Sequence, residues 1–142
     1  MPVPPPFSPT VTLLTVVGVW QEAFAEALKP LGLTSRKYAL LGHIRATPGI
    51  SFSELARRSR ITAPSAHVAV AAFKDDGLVE DATARAGAAS QLQVTGAGEQ
   101  LLVEAGVRLA ELDARFAAAH PGLTEALRAH VAELMTGRDT FS

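Results

Sequence analysis

The 142-residue chain contains no cysteine. Disulfides, thiolate metal sites, cysteine nucleophiles and thiol-based sensing of peroxide are therefore excluded. The four histidines, at positions 43, 67, 120 and 130, show neither HxxxH nor HxH spacing, which argues against a structural or catalytic metal site. The sequence therefore predicts a protein that holds no metal and no other cofactor.

Motifs of enzymes are also missing. The stretch TGAGE at 95–99 resembles a phosphate-binding loop, but it lacks the third glycine of a dinucleotide fingerprint and the lysine of a P-loop. The serines at positions 51, 53, 59 and 65 have no neighbouring histidine and acid that the sequence supports as a catalytic triad. We therefore expect the protein not to be an enzyme.

Positive charge is absent from the N-terminal region, where no basic residue precedes Lys29. The apolar stretch 11–20, followed by AFA at 23–25, resembles a secretory signal peptide but has no cationic segment before it. The stretch is interrupted by polar and small residues and is shorter than the roughly 18 to 20 residues that a membrane span requires. These features predict a cytoplasmic protein with no membrane contact.

Overall charge is low, with a formal net charge of -1, and 48% of the residues are apolar. This composition is typical of one soluble globular domain covering residues 1–142. The charge is unevenly distributed, because residues 36–60 contain six cations against the single acid Glu54, a local excess of +5. The overall balance predicts no partner by itself, but this segment is a local basic patch.

Apolar periodicity and capping residues predict a series of helices. Residues at three- and four-residue steps form one stripe on a first helix that ends near 30–32, namely Leu13, Val16, Val17, Trp20, Phe24 and Leu28. Thr34 is the predicted N-cap of a second helix. Ser51, with Glu54 three residues later, forms a predicted capping box for a short third helix. Thr62 is the predicted N-cap of a fourth, with Pro64 in its first turn, ending at Gly77.

Two short alternating segments, 78–82 and 90–94, predict an antiparallel hairpin joined by small residues. Thr95 is then expected to cap a long helix that ends before Pro121, and Thr124 to cap a last helix over 125–135. The order predicts a mainly α fold, a winged helix-turn-helix at 33–95 with a two-stranded wing. Residues 1–9 are expected to be a flexible lead, and the flanking helices at 10–30 and 96–136 to form a dimer.

The stretch LGLTSRKYALLGHIRATPGISFSELARRSRITAPSAHVAVAAFKDDGLVE, followed by LQVTGAGEQLL, resembles the multiple antibiotic resistance regulator (MarR) family of bacterial transcription factors. The signature lies in segments 31–34, 54–56, 77–79 and 94–98. The resemblance implies a homodimer joined through its terminal helices, with recognition helices in successive major grooves of palindromic double-stranded DNA and wings in minor grooves. It also implies release of a repressor by a small, often aromatic and anionic, effector.

The sequence departs from the family where DNA is read. Val68 and Ala72 occupy positions where the family usually carries arginine, and residues 86–88 replace the usual aspartate-arginine-arginine run at the wing tip. Arg85 remains near that tip. Since arginine to guanine is the commonest specific base contact, we expect weaker and less specific binding, with a larger share from phosphates.

Several side chains can still contact DNA. Arg57, Arg58 and Arg60 are predicted to grip phosphates. Polar groups early in the recognition helix are predicted to reach bases or phosphates, and Ala66 and Ala69 to lie against thymine methyl groups. The complete set of predicted DNA-binding residues is Ser53, Arg57, Arg58, Arg60, Thr62, Ser65, His67, Lys74 and Arg85.

Trp20, Tyr38 and His43 are predicted to line an effector pocket. The alternatives are a position in the dimer core for Trp20 and a satisfied, half-buried position for His43. Because the recognition helix is rich in alanine, it has a second interpretation as a helix packed against a partner. The alternative function is accordingly a ligand- or protein-binding module on the MarR fold, with weakened or lost DNA binding.

Overall fold

The computed structural model describes residues 1–83 and 87–137. Within them, helices α1 to α6 comprise Pro9–Leu28, Ser35–Ala46, Phe52–Ser59, Ala63–Asp75, Gly96–Ala119 and Pro121–Met135, and strands β1 and β2 comprise Val79–Asp81 and Leu92–Val94. The strands form an antiparallel hairpin. Two short helices followed by this hairpin confirm the predicted winged helix-turn-helix, flanked by the long helices α1, α5 and α6.

Side-chain caps start four of the helices at the predicted residues. Thr34, Ser51, Thr62 and Thr95 each accept the backbone N–H three residues later, at 3.1 to 3.2 Å. Each cap satisfies one of the N–H groups that have no partner inside the helix. Because the cap is local, the predicted starts of α2 to α5 are confirmed.

The predicted start of the last helix is wrong. Helix α6 begins at Pro121, with His120 as its N-cap, and Thr124 lies inside the first turn. The Thr124 hydroxyl donates to the His120 carbonyl at 2.8 Å instead of capping. Proline at the first helical position has its backbone angle already set and no N–H to satisfy, so the helix starts there.

The wing is held at its base by pairing outside the hairpin. β1 and β2 pair from Val79 opposite Val94 to Asp81 opposite Leu92. Two further hydrogen bonds join Leu92 to the segment after α2: Gly49 N–H donates to the Leu92 carbonyl at 2.9 Å, and Leu92 N–H donates to the Ile50 carbonyl at 3.0 Å. The segment between α2 and α3 therefore supports the wing through a single-residue bridge at Ile50.

The buried core lies where α2, α3, α4, α5 and the hairpin meet. Its largest fully buried side chains are Phe73, Leu28, Leu40, Leu41, Ile44, Leu55, Leu92, Leu102 and Val70. Trp20 and Phe24 of α1 pack against this core from the side. Burial of large apolar side chains is the main stabilising term for such a domain, so the core fixes the relative positions of α3, α4 and the wing.

Gly98 allows the first turn of α5 to lie directly on the start of the wing. A methyl group added there would lie 2.7 Å from Val94 Cγ1 and closer still to the Leu78 carbonyl oxygen. Thr95, just before this helix, donates its hydroxyl to the Gly77 carbonyl at 2.6 Å. The wing and α5 are therefore in direct backbone contact.

The flanking helices leave much apolar surface uncovered. Exposed large side chains include Val11, Leu13, Leu14, Val17 and Val19 on α1, Val103 and Val107 on α5, and Leu127, Val131, Leu134 and Met135 on α6. The predicted stripe of α1 is therefore packed only in its C-terminal half, around Trp20, Phe24 and Leu28. An apolar surface of this size on a small protein indicates a site that something else covers.

The expectation that the N-terminal apolar stretch is too short to cross a membrane is wrong on length. The helical segment Pro9–Leu31 is long and apolar enough to do so, with a mean hydropathy of 1.3 over an 18-residue window, of which 6% is buried. The helix continues beyond the interrupted run at 11–20, because Ser8 caps it at one end and its C-terminal half packs on the domain.

Candidate nucleic-acid interface

The turn between α3 and α4 fixes the angle at which α4 is presented. Arg60 adopts a left-handed conformation, with φ of 54° and ψ of 43°, which costs a non-glycine residue roughly 1 kcal/mol. Its N–H donates to the Arg57 carbonyl at 3.3 Å, and the Ile61 N–H donates to the Ala56 carbonyl at 3.1 Å. These bonds close the end of α3, and the Arg60 side chain is left exposed.

Helix α4 has one buried face and one open face. Ala66, Val70 and Phe73 point into the core, while Val68 on the opposite side is 73% exposed. The outer face is therefore available to a partner. The prediction that Ala66 contacts a thymine methyl is wrong, because Ala66 is fully buried; Ala69 is half-buried and packs against the core.

Thr62 and Ser65 are engaged with each other at the start of α4. The Thr62 hydroxyl donates to Ser65 Oγ at 2.9 Å and accepts the Ser65 N–H at 3.2 Å. Both residues are exposed. The two predicted contact residues thus act first as a cap, and Ser65 Oγ keeps acceptor capacity for an outside donor.

His67 is held in place by an aromatic neighbour. Its ring stacks on Phe52, the first residue of α3, with centroids 3.9 Å apart and an interplanar angle of 16°. The stack restricts the rotamers of an otherwise exposed side chain on α4. Phe52 was not predicted as a site residue, because the pairing joins two helices and no local pattern signals it.

Arg57 and Arg58 share one carboxylate. Glu54 accepts from Arg57 Nε at 3.0 Å and Nη2 at 2.5 Å, and from Arg58 Nε at 2.8 Å. The hydrogen bonds donated by Arg57 and then Arg58 lower the pKa of Glu54 to about 2, and the bonds that Arg57 donates to Glu54 raise the pKa of Arg57. The second half of the predicted capping box is therefore wrong: the carboxylate of Glu54 faces the arginines and not the N–H of Ser51.

The two arginines differ in their surroundings. Arg58 also donates from Nη1 to Thr47 Oγ1 at 2.7 Å, which ties α3 to the end of α2, and its side chain is 36% exposed. The Arg57 side chain is 71% exposed. Arg57 thus presents its remaining nitrogen to solvent, whereas Arg58 is largely used within the fold.

The other predicted DNA-binding residues lie around this surface. Ser53 is exposed in the first turn of α3, and Lys74 is exposed in the last turn of α4. Arg85 lies outside the described residues. The structure thus brings the first turns of α3 and α4, with His67, together on one side of the molecule, and Lys74 lies at the end of α4 nearest the wing.

Asp81 braces the base of the wing. One of its carboxylate oxygens accepts the backbone N–H groups of Thr83 and Gln91, each at 3.0 Å, and also the Thr83 hydroxyl. The Thr83 hydroxyl first, then the Gln91 N–H, lower the pKa of Asp81, with a small contribution from the positive charge of Lys74. Two strands are thereby joined where the loop begins.

A groove of about 420 Å³ runs between α2 and α4. It is lined by Thr34, Arg36, Lys37, Leu40, Pro64, Ser65, Val68 and Ala69. Arg36 and Lys37 lie on the α2 side of the groove, and the α4 side is largely apolar. Such a combination suits an anion with an apolar body.

The predicted effector residues lie elsewhere. The Trp20 ring makes an edge contact with Phe116 on α5, at 5.0 Å and 70°. Tyr38 packs edge-on to Phe24 with centroids 5.9 Å apart, and His43 is half-buried in the last turn of α2. Trp20 and Tyr38 both pack against the core, and the groove is lined by other residues.

Comparison with known proteins places these features in a family. The family model described as MarR family matches residues 31–88. The HTH-type transcriptional repressor Rv2887 of Mycobacterium tuberculosis strain H37Rv is 31% identical over 104 residues, which cover 72% of this chain and 75% of the relative.

Two solved structures illustrate the similarity. The Mycobacterium tuberculosis MarR family protein Rv2887 in complex with salicylic acid has a TM-score of 0.69 at 27% identity, covering 92% of this chain and 98% of the other. MepR, a transcription regulator of the Staphylococcus aureus multidrug efflux pump MepA, has a TM-score of 0.74 at 13% identity, covering 94% and 100%, and shares the fold.

Proposed function

Because this chain belongs to the MarR family of transcriptional regulators, we propose that it is a cytoplasmic DNA-binding repressor. The proposed dimer binds a palindromic double-stranded site. The observation that carries the proposal is the open outer face of α4, presented beside exposed cations of α3 and the turn. In a helix-turn-helix, this second helix enters the major groove. The relatives are named as repressors and not as enzymes.

Phosphate contacts supply most of the affinity. Arg57 and Arg60 are exposed at the end of α3 and in the turn, and Lys74 is exposed at the far end of α4. Cations at both ends of the inserted helix match the two phosphate backbones that border a groove. His67 donates to a base edge or a phosphate oxygen in this proposal, which its stack on Phe52 supports by limiting its rotamers.

A second copy of the chain covers the apolar surface of α1, α5 and α6. All three helices expose large apolar side chains, including Val11, Val107 and Val131, so the uncovered surface extends well beyond the helix that is long enough to cross a membrane. Static light scattering after gel filtration should give twice the 14.9 kDa of one chain. A monomer at micromolar concentration, or recovery only in detergent, would contradict the dimer.

A small aromatic anion is the proposed effector, and the groove between α2 and α4 is its proposed site. Arg36 and Lys37 supply positive charge, and Leu40 and Val68 supply apolar contact. A relative, Rv2887, has been crystallised with salicylic acid. Because Val68 is also on the outer face of α4, an anion in the groove occupies space next to the DNA and weakens DNA binding.

Fluorescence anisotropy tests the proposal, using labelled duplexes from the promoter region of the protein's own gene at two salt concentrations. We expect binding that falls steeply as salt rises, and release of the duplex by salicylate. Replacement of Arg36 with alanine should weaken the effect of salicylate, whereas Arg45→Ala at the other end of α2 should not. Absence of DNA binding even at low salt would favour a ligand- or protein-binding module.

A further inference from the structure

The side chain at the centre of the outer face of α4 is apolar. The buried residues Ala66, Val70 and Phe73 define the inner face, and at 100° per residue Val68 lies roughly opposite to them. Val68 is 73% exposed, and it is the large apolar side chain that α4 presents to solvent. Val68 therefore occupies the centre of the surface that a helix-turn-helix presents to the major groove.

The polar side chains next to Val68 are partly occupied. On one side the Ser65 hydroxyl bonds to Thr62 at 2.9 Å, and on the other the His67 ring stacks on Phe52 at 3.9 Å. Val68 lies between them in the N-terminal half of α4, which is the half of a recognition helix that reaches base edges. The centre of the reading surface is therefore an isopropyl group with a polar side chain on each side.

The apolar character of Val68 limits which group on a base edge it can contact favourably. A base edge in the major groove presents hydrogen-bond donors and acceptors, except for the C5-methyl group of thymine, which is apolar. A valine against a donor or acceptor removes water from that group without replacing its hydrogen bond, which is unfavourable. Contact with a methyl group buries apolar surface on both sides, which is favourable.

We propose that Val68 reads the C5-methyl group of a thymine in each half-site. The proposal rests on the proposed function as a DNA-binding regulator and adds to it the base that α4 selects. A methyl contact of this kind corresponds to about a fourfold gain in affinity per half-site, or about fifteenfold for a dimer. The shape of the DNA and the phosphate contacts proposed above then supply the remaining affinity.

Deoxyuridine differs from thymidine only in lacking this methyl group, so it tests the proposal. Duplexes from the promoter region are prepared with thymines replaced by deoxyuridine one symmetric pair at a time, and affinities are measured by anisotropy. We expect one pair of positions at which the loss reaches about fifteenfold. In the Val68→Ala variant, that difference between thymine and uracil should largely disappear.

Lys74→Ala provides the matched control on the same helix. Its loss of a phosphate contact should lower affinity for both duplexes by the same factor and leave the thymine preference unchanged. Because Val68 is exposed, its alanine variant should keep the melting temperature of the wild type. Equal affinity for thymine and uracil duplexes, or a preference for thymine that persists in Val68→Ala, would overturn the inference about Val68. The proposed function as a DNA-binding regulator would not be affected by either result. Failure to bind any thymine duplex at low salt overturns the proposed function as well.

Discussion

Arg57 and Arg58 are neighbours on α3, yet their surroundings predict different effects when each is replaced with alanine. Among the residues that the structure describes, Arg57 bonds to Glu54 alone and is 71% exposed, whereas Arg58 bonds to both Glu54 and Thr47 and is 36% exposed. We therefore expect Arg57 to contact DNA phosphate, and Arg58 mainly to hold α3 against the end of α2.

The expected magnitude follows from counterion release. Each phosphate contact contributes about 0.9 to the slope of log affinity against log salt, so losing Arg57 from both protomers lowers the slope by about 1.8. Between about 50 and about 200 mM salt, this change alters the fall in affinity by about twelvefold. Arg58→Ala should change the slope less and lower the melting temperature more, because it removes the hydrogen bond to Thr47 that ties α3 to the end of α2, whereas the two bonds of Arg57 both go to Glu54 on its own helix.

The assay is DNA-binding anisotropy at five or more salt concentrations, beside thermal unfolding of each variant. Glu54→Gln serves as a companion, because it removes the negative charge that both arginines share. It should strengthen binding to all sequences by a similar factor, since the net charge near the DNA becomes more positive. Equal slopes for Arg57→Ala and Arg58→Ala would refute the assignment of separate roles.

Three further predictions concern stability. Gly98→Ala should lower the unfolding free energy by about 3 kcal/mol in urea denaturation, because the added methyl meets Val94 and the Leu78 backbone; a change within error would contradict the close packing. Asp81→Ala should lower the melting temperature and speed amide exchange at the base of the wing, since three hydrogen bonds are lost; unchanged exchange would contradict the brace. The pKa of Glu54 is lowered from 4.5 to about 2, so the ionised carboxylate stabilises the fold fully above pH 4.5, and this stabilisation is lost as the pH falls towards 2. The difference in unfolding free energy between wild type and Glu54→Gln, measured by denaturation at several pH values, should therefore narrow over that range. A difference that stays constant with pH would contradict the prediction.

The sequence correctly predicted the helix starts that depend on hydrogen bonds between residues close together in the chain. Thr34, Ser51, Thr62 and Thr95 each start a helix through a hydrogen bond that spans three residues, so the cap is readable from the chain. The prediction that Thr124 caps the last helix is wrong because Pro121, three residues earlier, is also a good helix start.

Two details of the site were predicted wrongly, although the residues that decide them are close in the sequence. In α4, the small side chain of Ala66 is predicted to contact DNA, although Ala66, Val70 and Phe73 share the four- and three-residue spacing of one helix face, and that face is the buried one. Glu54 has a choice between the Ser51 N–H and two arginines, and the charged partners win because such hydrogen bonds are stronger.

Contacts between distant residues could not be predicted at all. The stack of Phe52 on His67 and the backbone pairing of Gly49 with Leu92 each join segments that the sequence separates. Periodicity and capping motifs describe neighbours along the chain and carry no information about such partners. The groove between α2 and α4 is a further example, because it forms only once the helices are packed. That Trp20, Tyr38 and His43 line an effector pocket stays a prediction.

The close seating of Gly98 on the Leu78 backbone leaves no room for sliding between α5 and the hairpin. The Thr95 hydroxyl is also hydrogen-bonded to the Gly77 carbonyl. Helix α5 and the wing are therefore expected to move as one rigid unit. In the proposed dimer, any change in the orientation of α5 would therefore reposition the wing by the same rotation and alter how it meets the DNA.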